Sequence, residues 1–260
     1  MEIKRFQIIL LLLTVILFTV IQFKYYEKMK TFPQIRMRES KIELTVRMSL
    51  HGNMIKRLFC MYLRSAVVFW YPGYGDVVFI LDEVDRSKKF EETLLTAELP
   101  FSTRVEYEPD PSSKLIKLIE QHAKRTNKSP GYIKMFYSSF LFDYYTSESA
   151  IIAWADLDVT FTMPVVMDSI FHNGRLIVKG LNTFKFSWVK TWSHTTFLTL
   201  GFPMVSDFMT YFPTYVYATT IQNFREYITK RLGTNTFEEN FAIILGHGGM
   251  ISPVNLILIL

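Results

Sequence analysis

Apolar residues fill positions 8–20 of "MEIKRFQIILLLLTVILFTVIQFKYYEKMK" with only two threonines among them, and the run extends through Phe23 with Gln22 as its one interruption. As a helix this stretch covers about 24 Å, against a hydrocarbon core of roughly 30 Å, so a thin membrane or snorkelling flanks close the gap. No small-x-small cleavage site follows, and the exit is bulky and aromatic, with Tyr25 and Tyr26 at interface depth. The pattern therefore predicts an uncleaved single-span anchor over residues 8–23 rather than a cleaved signal peptide. Lys4 and Arg5 precede the span while Lys24, Lys28 and Lys30 follow it, so charge alone does not fix its orientation. Residues 24–64 are basic and Met-rich without clean periodicity, and read as a stem merging into a first helix, "MIKRLFCMYLRS".

From residue 65 the pattern changes to alternating strands and helices. "SAVVFWYP" reads as a strand ended by Pro72 and the Gly73–Gly75 turn, and "DVVFILDEVD" as a second. A helix "KKFEETLLTAEL", an alternating strand "TRVEYEP" and a helix over 113–124 follow. In "YIKMFYSSFLFDYYT", the spacing of Ile133, Phe136, Phe140 and Tyr144 suits a buried helix, and "AIIAWADLDV" resumes strand character. This alternation predicts an α/β domain over 65–260 with a mostly parallel sheet, whose ligand sites lie beyond the carboxyl ends of strands. "NTFEENFAIIL" reads as a helix start. "SPVNLILIL" reads as a strand-like run with no polar tail, as though a domain were cut short, and exposure of Leu256–Leu260 would favour association.

Composition narrows the class. With 260 residues, 49% hydrophobic and 20% charged, the chain is long enough for one sizeable domain and an appendage, and is neither disordered nor multi-spanning. The net charge of +5 is uneven: residues 1–64 hold 12 Lys/Arg against 4 Asp/Glu, and the rest hold 17 against 20. The body is thus no polybasic nucleic-acid binder, and the basic excess suits anionic lipid headgroups. Cys60 is the sole cysteine, which excludes an internal disulfide and a Cys-based zinc site. Asn127-Lys128-Ser129 is the one glycosylation sequon, with Pro130 immediately after it.

The candidate chemistry centres on Asp156 and Asp158. If the strand continued through them, their side chains would share one face and repel unless a cation sat between them. The alternative is a turn cap beside a solvated acid. Asp82 also ends an apolar strand. Glu238 and Glu239 stand where a helix dipole favours acids, and one of them is a candidate catalytic base. His194 and His247 are candidate metal imidazoles or ordinary loop histidines, and Lys179 is a phosphate contact or a solvated strand end. A phosphatase of the haloacid-dehalogenase type also opens on an apolar strand and DxD, but it needs a later acidic pair for Mg²⁺ and normally begins its domain there.

The order of "FILDE", "WADLDVTF", "SIFHNGRLIVKG", "TFEENFAIIL" and "SPVNLIL" resembles the nucleotide-diphospho-sugar transferases of the GT-A fold, from about residue 65 to the end. The resemblance implies a Rossmann-related sheet and a metal-dependent glycosyltransferase using Mn²⁺ or Mg²⁺. Its donor would be a nucleotide-diphosphate sugar, and its acceptor a glycan, glycoprotein or glycolipid. It implies that Asp158 ligates the metal, that Asp156 contacts the ribose or reaches the metal through water, and that Asp82 accepts a base N–H. A late His, here His247, would be a further ligand. It also implies a type II arrangement, with residues 1–7 cytosolic and the domain in the Golgi or endoplasmic reticulum lumen. A catalytically silent, membrane-tethered relative that binds or scaffolds is the alternative.

Overall fold

The computed structural model describes residues 41–50, 53–82, 85–148, 150–182 and 190–260. The expected anchor, its cytosolic tail and the stem up to residue 40 lie outside the described residues. Among the described residues no helix is long and apolar enough to cross a membrane.

Five strands form the central sheet: β1 (Ile42–Arg47), β2 (Val77–Asp82), β3 (Thr103–Glu108), β4 (Ile151–Ala155) and β9 (Thr214–Tyr217), in the order β3-β2-β1-β4-β9. The first four are parallel and β9 is antiparallel to β4. The chain winds from β1 outward to β3, then crosses back to place β4 on the other side of β1. The carboxyl ends of β1 and β4 therefore flank the point where strand order reverses, the position at which open α/β sheets bind ligands.

Between the strands run α1, α2 (Asp85–Leu95), α3 (Ser113–Thr126) and α4 (Pro130–Ser139). Helix α1 is continuous through Met54–Arg57, a π-helical Leu58–Leu63 and Arg64–Phe69. After β4 come the short α5 (Met167–Ile170) and a hairpin of β5 (Phe171–His172) and β6 (Arg175–Leu176). Its turn is Asn173-Gly174, both at positive φ, as a tight two-residue hairpin requires. A second small ribbon pairs β7 (Leu181–Asn182) with β8 (Ser206–Asp207), with α6 (Lys190–Leu200) between them. Helices α7 (Ala218–Leu232), α8 (Phe237–Gly246) and α9 (Pro253–Ile259) complete the described fold.

Three expectations are corrected. The segment read as a basic stem contains β1, the central strand, so the sheet begins 23 residues before residue 65. Its Glu43 and Arg47 are buried because β3 supplies partners on the same face, Arg104 meeting Glu43 at 3.2 Å and Glu108 meeting Arg47, while the Thr45 hydroxyl between them donates to the Glu43 carbonyl at 3.3 Å. "SAVVF", expected as a strand, completes α1, with Ser65 and Ala66 buried and Val67 outside. The apolar end is helix α9, started by Ser252, whose hydroxyl accepts the Asn255 N–H at 3.2 Å, and by Pro253 in its first turn. Leu256 and Ile257 are buried in the main core beside Ile251 and Val254, and Leu258 and Ile259 are half-buried against it, so of the run expected to be exposed only Leu260 is.

That core lies largely on one side of the sheet. Phe140 stacks on Phe224 at 5.2 Å between ring centres, and Phe142 meets Trp154 of β4 at 4.7 Å. Of the stripe expected as a buried helix, Ile133, Phe136 and Phe140 are core, but the helix ends at Ser139 and Tyr144, in the 3₁₀ turn Phe142–Tyr144, is 66% exposed with Arg225 over its ring.

Candidate active site

Strand β4 stops at Ala155, and Asp156–Val159 form a turn closed by the Val159 N–H donating to the Asp156 carbonyl at 3.1 Å. The strand geometry expected for the two acids does not apply. Leu157 turns into the core while Asp158 is exposed and Asp156 is half-buried. The two carboxylates still act on one another. Burial, and then the charge of Asp158, push the Asp156 carboxyl up to about 6. An Asp opening a turn commonly satisfies itself on the turn's own N–H groups. Among the described residues, however, no side-chain hydrogen bond or ion pair engages Asp156.

Two tyrosines share this environment. Burial and then the Asp156 charge raise the Tyr62 hydroxyl well above its usual value, and the same two causes in the same order raise Tyr132. Tyr132 stands in the first turn of α4, held by the Ser129 cap, with Lys128 Nζ at 5.3 Å from its ring centre. The turn itself is pinned to α1. The Phe161 N–H donates to Ser65 Oγ at 3.0 Å, and the Phe161 ring meets Tyr62 edge-on at 6.0 Å.

A carboxyl raised in the folded state favours folding when protonated. The associated stability is present below the unfolded value near 4 and is lost as pH rises through about 6. Asp156→Asn should therefore stabilise the metal-free protein by about 1–3 kcal/mol at pH 7.5, discounted for partial exposure. Urea denaturation should show the gain shrinking between pH 6 and pH 4. A gain that does not change with pH would mean that Asp156 is not strained by its charge.

Asp82 ends β2 in a different setting. It accepts from Arg47 Nη2 at 2.7 Å and from Ser49 Oγ at 3.0 Å. Arg47 also grips Glu108 through Nε at 3.0 Å and Nη2 at 2.9 Å, and Lys134 approaches Glu108 at 3.1 Å. Burial alone would raise Glu108, but Arg47 and the neighbouring groups outweigh it and hold the carboxyl down to about 2. Burial and a shared hydrogen bond with Glu108 raise Asp82 despite Arg47. Glu108 is thus the principal counter-ion of Arg47, and Asp82's oxygens are committed to Arg47 and Ser49. Any base N–H would compete with a guanidinium for Asp82. Sequence reading missed Arg47 and Glu108, although each is the last residue of its strand.

The remaining candidates are dispersed. Glu239 forms a capping box with Thr236, accepting the Thr236 N–H at 3.3 Å and the Asn235 N–H at 2.8 Å. Glu238 accepts the Ser112 N–H at 2.9 Å, tying the start of α8 to the start of α3. Both acids offered as a base thus serve helix starts. Glu239→Ala should lower stability by about 1 kcal/mol and leave ligand binding at the Asp156 turn unchanged; thermal melts with and without Mn²⁺ read both effects. Lys179 is exposed in the coil between β6 and β7. Burial and then His194 lower His247, so these two histidines lie near one another.

Among the described residues no three His, Cys, Asp or Glu side chains are grouped to hold a metal, and His247 does not complete a set with the Asp pair. The residues present nevertheless fit a hard divalent cation in another way. Two carboxylates with water and phosphate oxygens can fill an octahedral shell of Mn²⁺ or Mg²⁺. The half-buried, unpaired Asp156 is a group such a cation would relieve. A cavity of about 430 Å³ lies elsewhere, lined by Tyr144, Gln222, Arg225 and Glu226 among others, and contains neither Asp156 nor Asp158. Arg225 is already engaged there by Asp143 and the Phe140 carbonyl.

The sequence matches no protein-family model and no curated protein.

Proposed function

We propose that the Asp156–Asp158 turn binds a divalent cation together with the diphosphate of a nucleotide sugar, and that the protein is a metal-dependent glycosyltransferase with a GT-A-like sheet. The observation that carries the reading is the unpaired Asp156 carboxyl, raised to about 6, at the carboxyl end of β4 where strand order reverses. A bound cation neutralises charge developing on a departing diphosphate. Asp156 and Asp158 would hold that cation, while the α1 contacts to Phe161 keep their turn in place.

The acceptor is a glycan, glycoprotein or glycolipid in this reading. The apolar run 8–23 supports a type II placement in the Golgi or endoplasmic reticulum lumen. A second reading, a catalytically silent relative that binds nucleotide, is favoured by the capping roles of Glu238 and Glu239, which leave the proposed base without an assigned residue. Titration of nucleoside diphosphates with and without Mn²⁺, comparing wild type with Asp158→Ala, tests the binding common to both.

A further inference from the structure

Helix α1 buries only one side. Its π-helical turn sends Leu58, Tyr62 and Leu63 into the core and leaves Phe59, Cys60 and Met61 outside. Met54, Ile55, Phe59, Met61 and Val67 are each 36–41% exposed, whereas among the described residues no other helix exposes more than one large apolar side chain. Single exposed apolar residues are ordinary, but five along one helix make a patch of the kind that marks a contact surface.

The charge on the same helix points to what the patch meets. Lys56, Arg57 and Arg64 are exposed, and Lys56, Cys60 and Arg64 follow one another at four-residue spacing down the outer side. No acid occurs in the chain from Leu44 to Gly75, so none on α1 offsets these cations. Among the described residues no side-chain hydrogen bond or ion pair engages them. Cations and apolar groups are interleaved along the face. Long basic side chains can therefore reach anionic headgroups while Phe59 and Met61 enter the boundary beneath them, as in helices that lie in the plane of a membrane surface. The apolar run 8–23 calls for a bilayer in its own right, so a lipid surface is a partner whose chemistry the same chain already requires.

We infer that the exposed face of α1 is a second membrane contact, lying on a bilayer surface that carries anionic headgroups. Lys56, Arg57 and Arg64 meet the headgroups, and the apolar side chains between them supply the hydrophobic part of the contact. The contact goes beyond the nucleotide reading and does not depend on it; it requires anionic lipid in the leaflet that faces the domain. The inner side of the same helix holds the Phe161 N–H through Ser65 Oγ at 3.0 Å, so lipid contact would also orient the segment that follows the Asp156 turn.

Cys60 is the chain's sole cysteine and is exposed on this face, so an environment-sensitive dye attached there reads the contact. The full chain is placed at one copy per nanodisc, in discs of phosphatidylcholine alone or with about 30% phosphatidylserine. In the phosphatidylserine discs the dye should emit to the blue and be quenched by nitroxide-headgroup lipid, and in the neutral discs it should stay water-like. Replacing Lys56, Arg57 and Arg64 together by Gln should reduce the contact about tenfold or more. Raising salt to about 0.5 M should do the same to wild type with no substitution, and decides the question alone if the triple variant folds poorly. Water-like emission in both discs, equal quenching in both, or quenching in wild type that survives the salt would overturn the inference. Quenching that appears only at two copies per disc would assign the face to a second copy of the chain and overturn it as well.

Discussion

Arg47→Met should unfold about 3–5 kcal/mol more easily than wild type, because it strips the cation from Glu108 and Asp82 while leaving both acids in place. The Glu108 side chain is 1% exposed, so water cannot replace the guanidinium, and Lys134 at 3.1 Å is the cation left beside it. Arg47 holds Glu108 ionised down to about 2, so in wild type this pair supplies stability above the unfolded carboxyl value, lost as pH falls through about 2. In Arg47→Met the sign reverses. Glu108 becomes a buried carboxyl whose proton affinity rises, and acidification from pH 7 toward pH 4 should narrow the deficit. Adding Glu108→Gln and Asp82→Asn should recover most of the loss, since buried polar groups of similar shape tolerate loss of charge on all partners better than on one. Urea denaturation across that pH range gives all three results. A loss below about 1 kcal/mol would show the cluster to be well hydrated.

Asp158→Ala is expected to have the larger functional effect. Asp158 is exposed and has no side-chain partner among the described residues, so its removal costs the fold little, and it lifts the repulsion that helps raise Asp156. The metal-free variant should therefore be as stable as wild type or slightly more so. With one carboxylate left, the turn cannot chelate. Wild type at 100 times its dissociation constant for Mn²⁺ and nucleotide gains about 2.7 kcal/mol of apparent stability by mass action, and the variant should gain almost none.

Much of the sheet was legible in the sequence, because β2 and β4 are buried on both faces and read as unbroken apolar runs, "VVFIL" and "IIAWA". The strand β1 was not. "IELTVR" alternates apolar and polar residues, and its charges suggest a solvated stem until Arg104 and Glu108 are placed on the same face two strands away. "SAVVF" misled in the opposite direction. Its β-branched pair suggests a strand, but the preceding "MIKRLFCMYL" had already started a helix that continues through it. The final "VNLILI" was ambiguous by periodicity, as short apolar runs are, and the Ser-Pro start was the signal that marked it as a helix.

The site was legible only in part. The doublet Asp156 and Asp158 stood out, and the structure keeps them electrostatically coupled although a turn replaces the expected strand. The tyrosines beside them could not be inferred, since Tyr62 arrives from nearly 100 residues upstream through a π-helical turn that leaves no pattern in the sequence. Glu239 shows the opposite limit. Thr236-x-x-Glu239 is a capping box at the sequence level, and the structure uses it as one.

A cation-dependent nucleotide site at the Asp156 turn is tested most directly by isothermal titration of a panel of nucleoside diphosphates into wild type and Asp158→Ala, each with and without Mn²⁺. The prediction is binding of at least one nucleoside diphosphate by wild type only when Mn²⁺ is present, and no measurable binding by Asp158→Ala under the same conditions. Binding that is unchanged in Asp158→Ala, or absent from wild type with Mn²⁺, would contradict it.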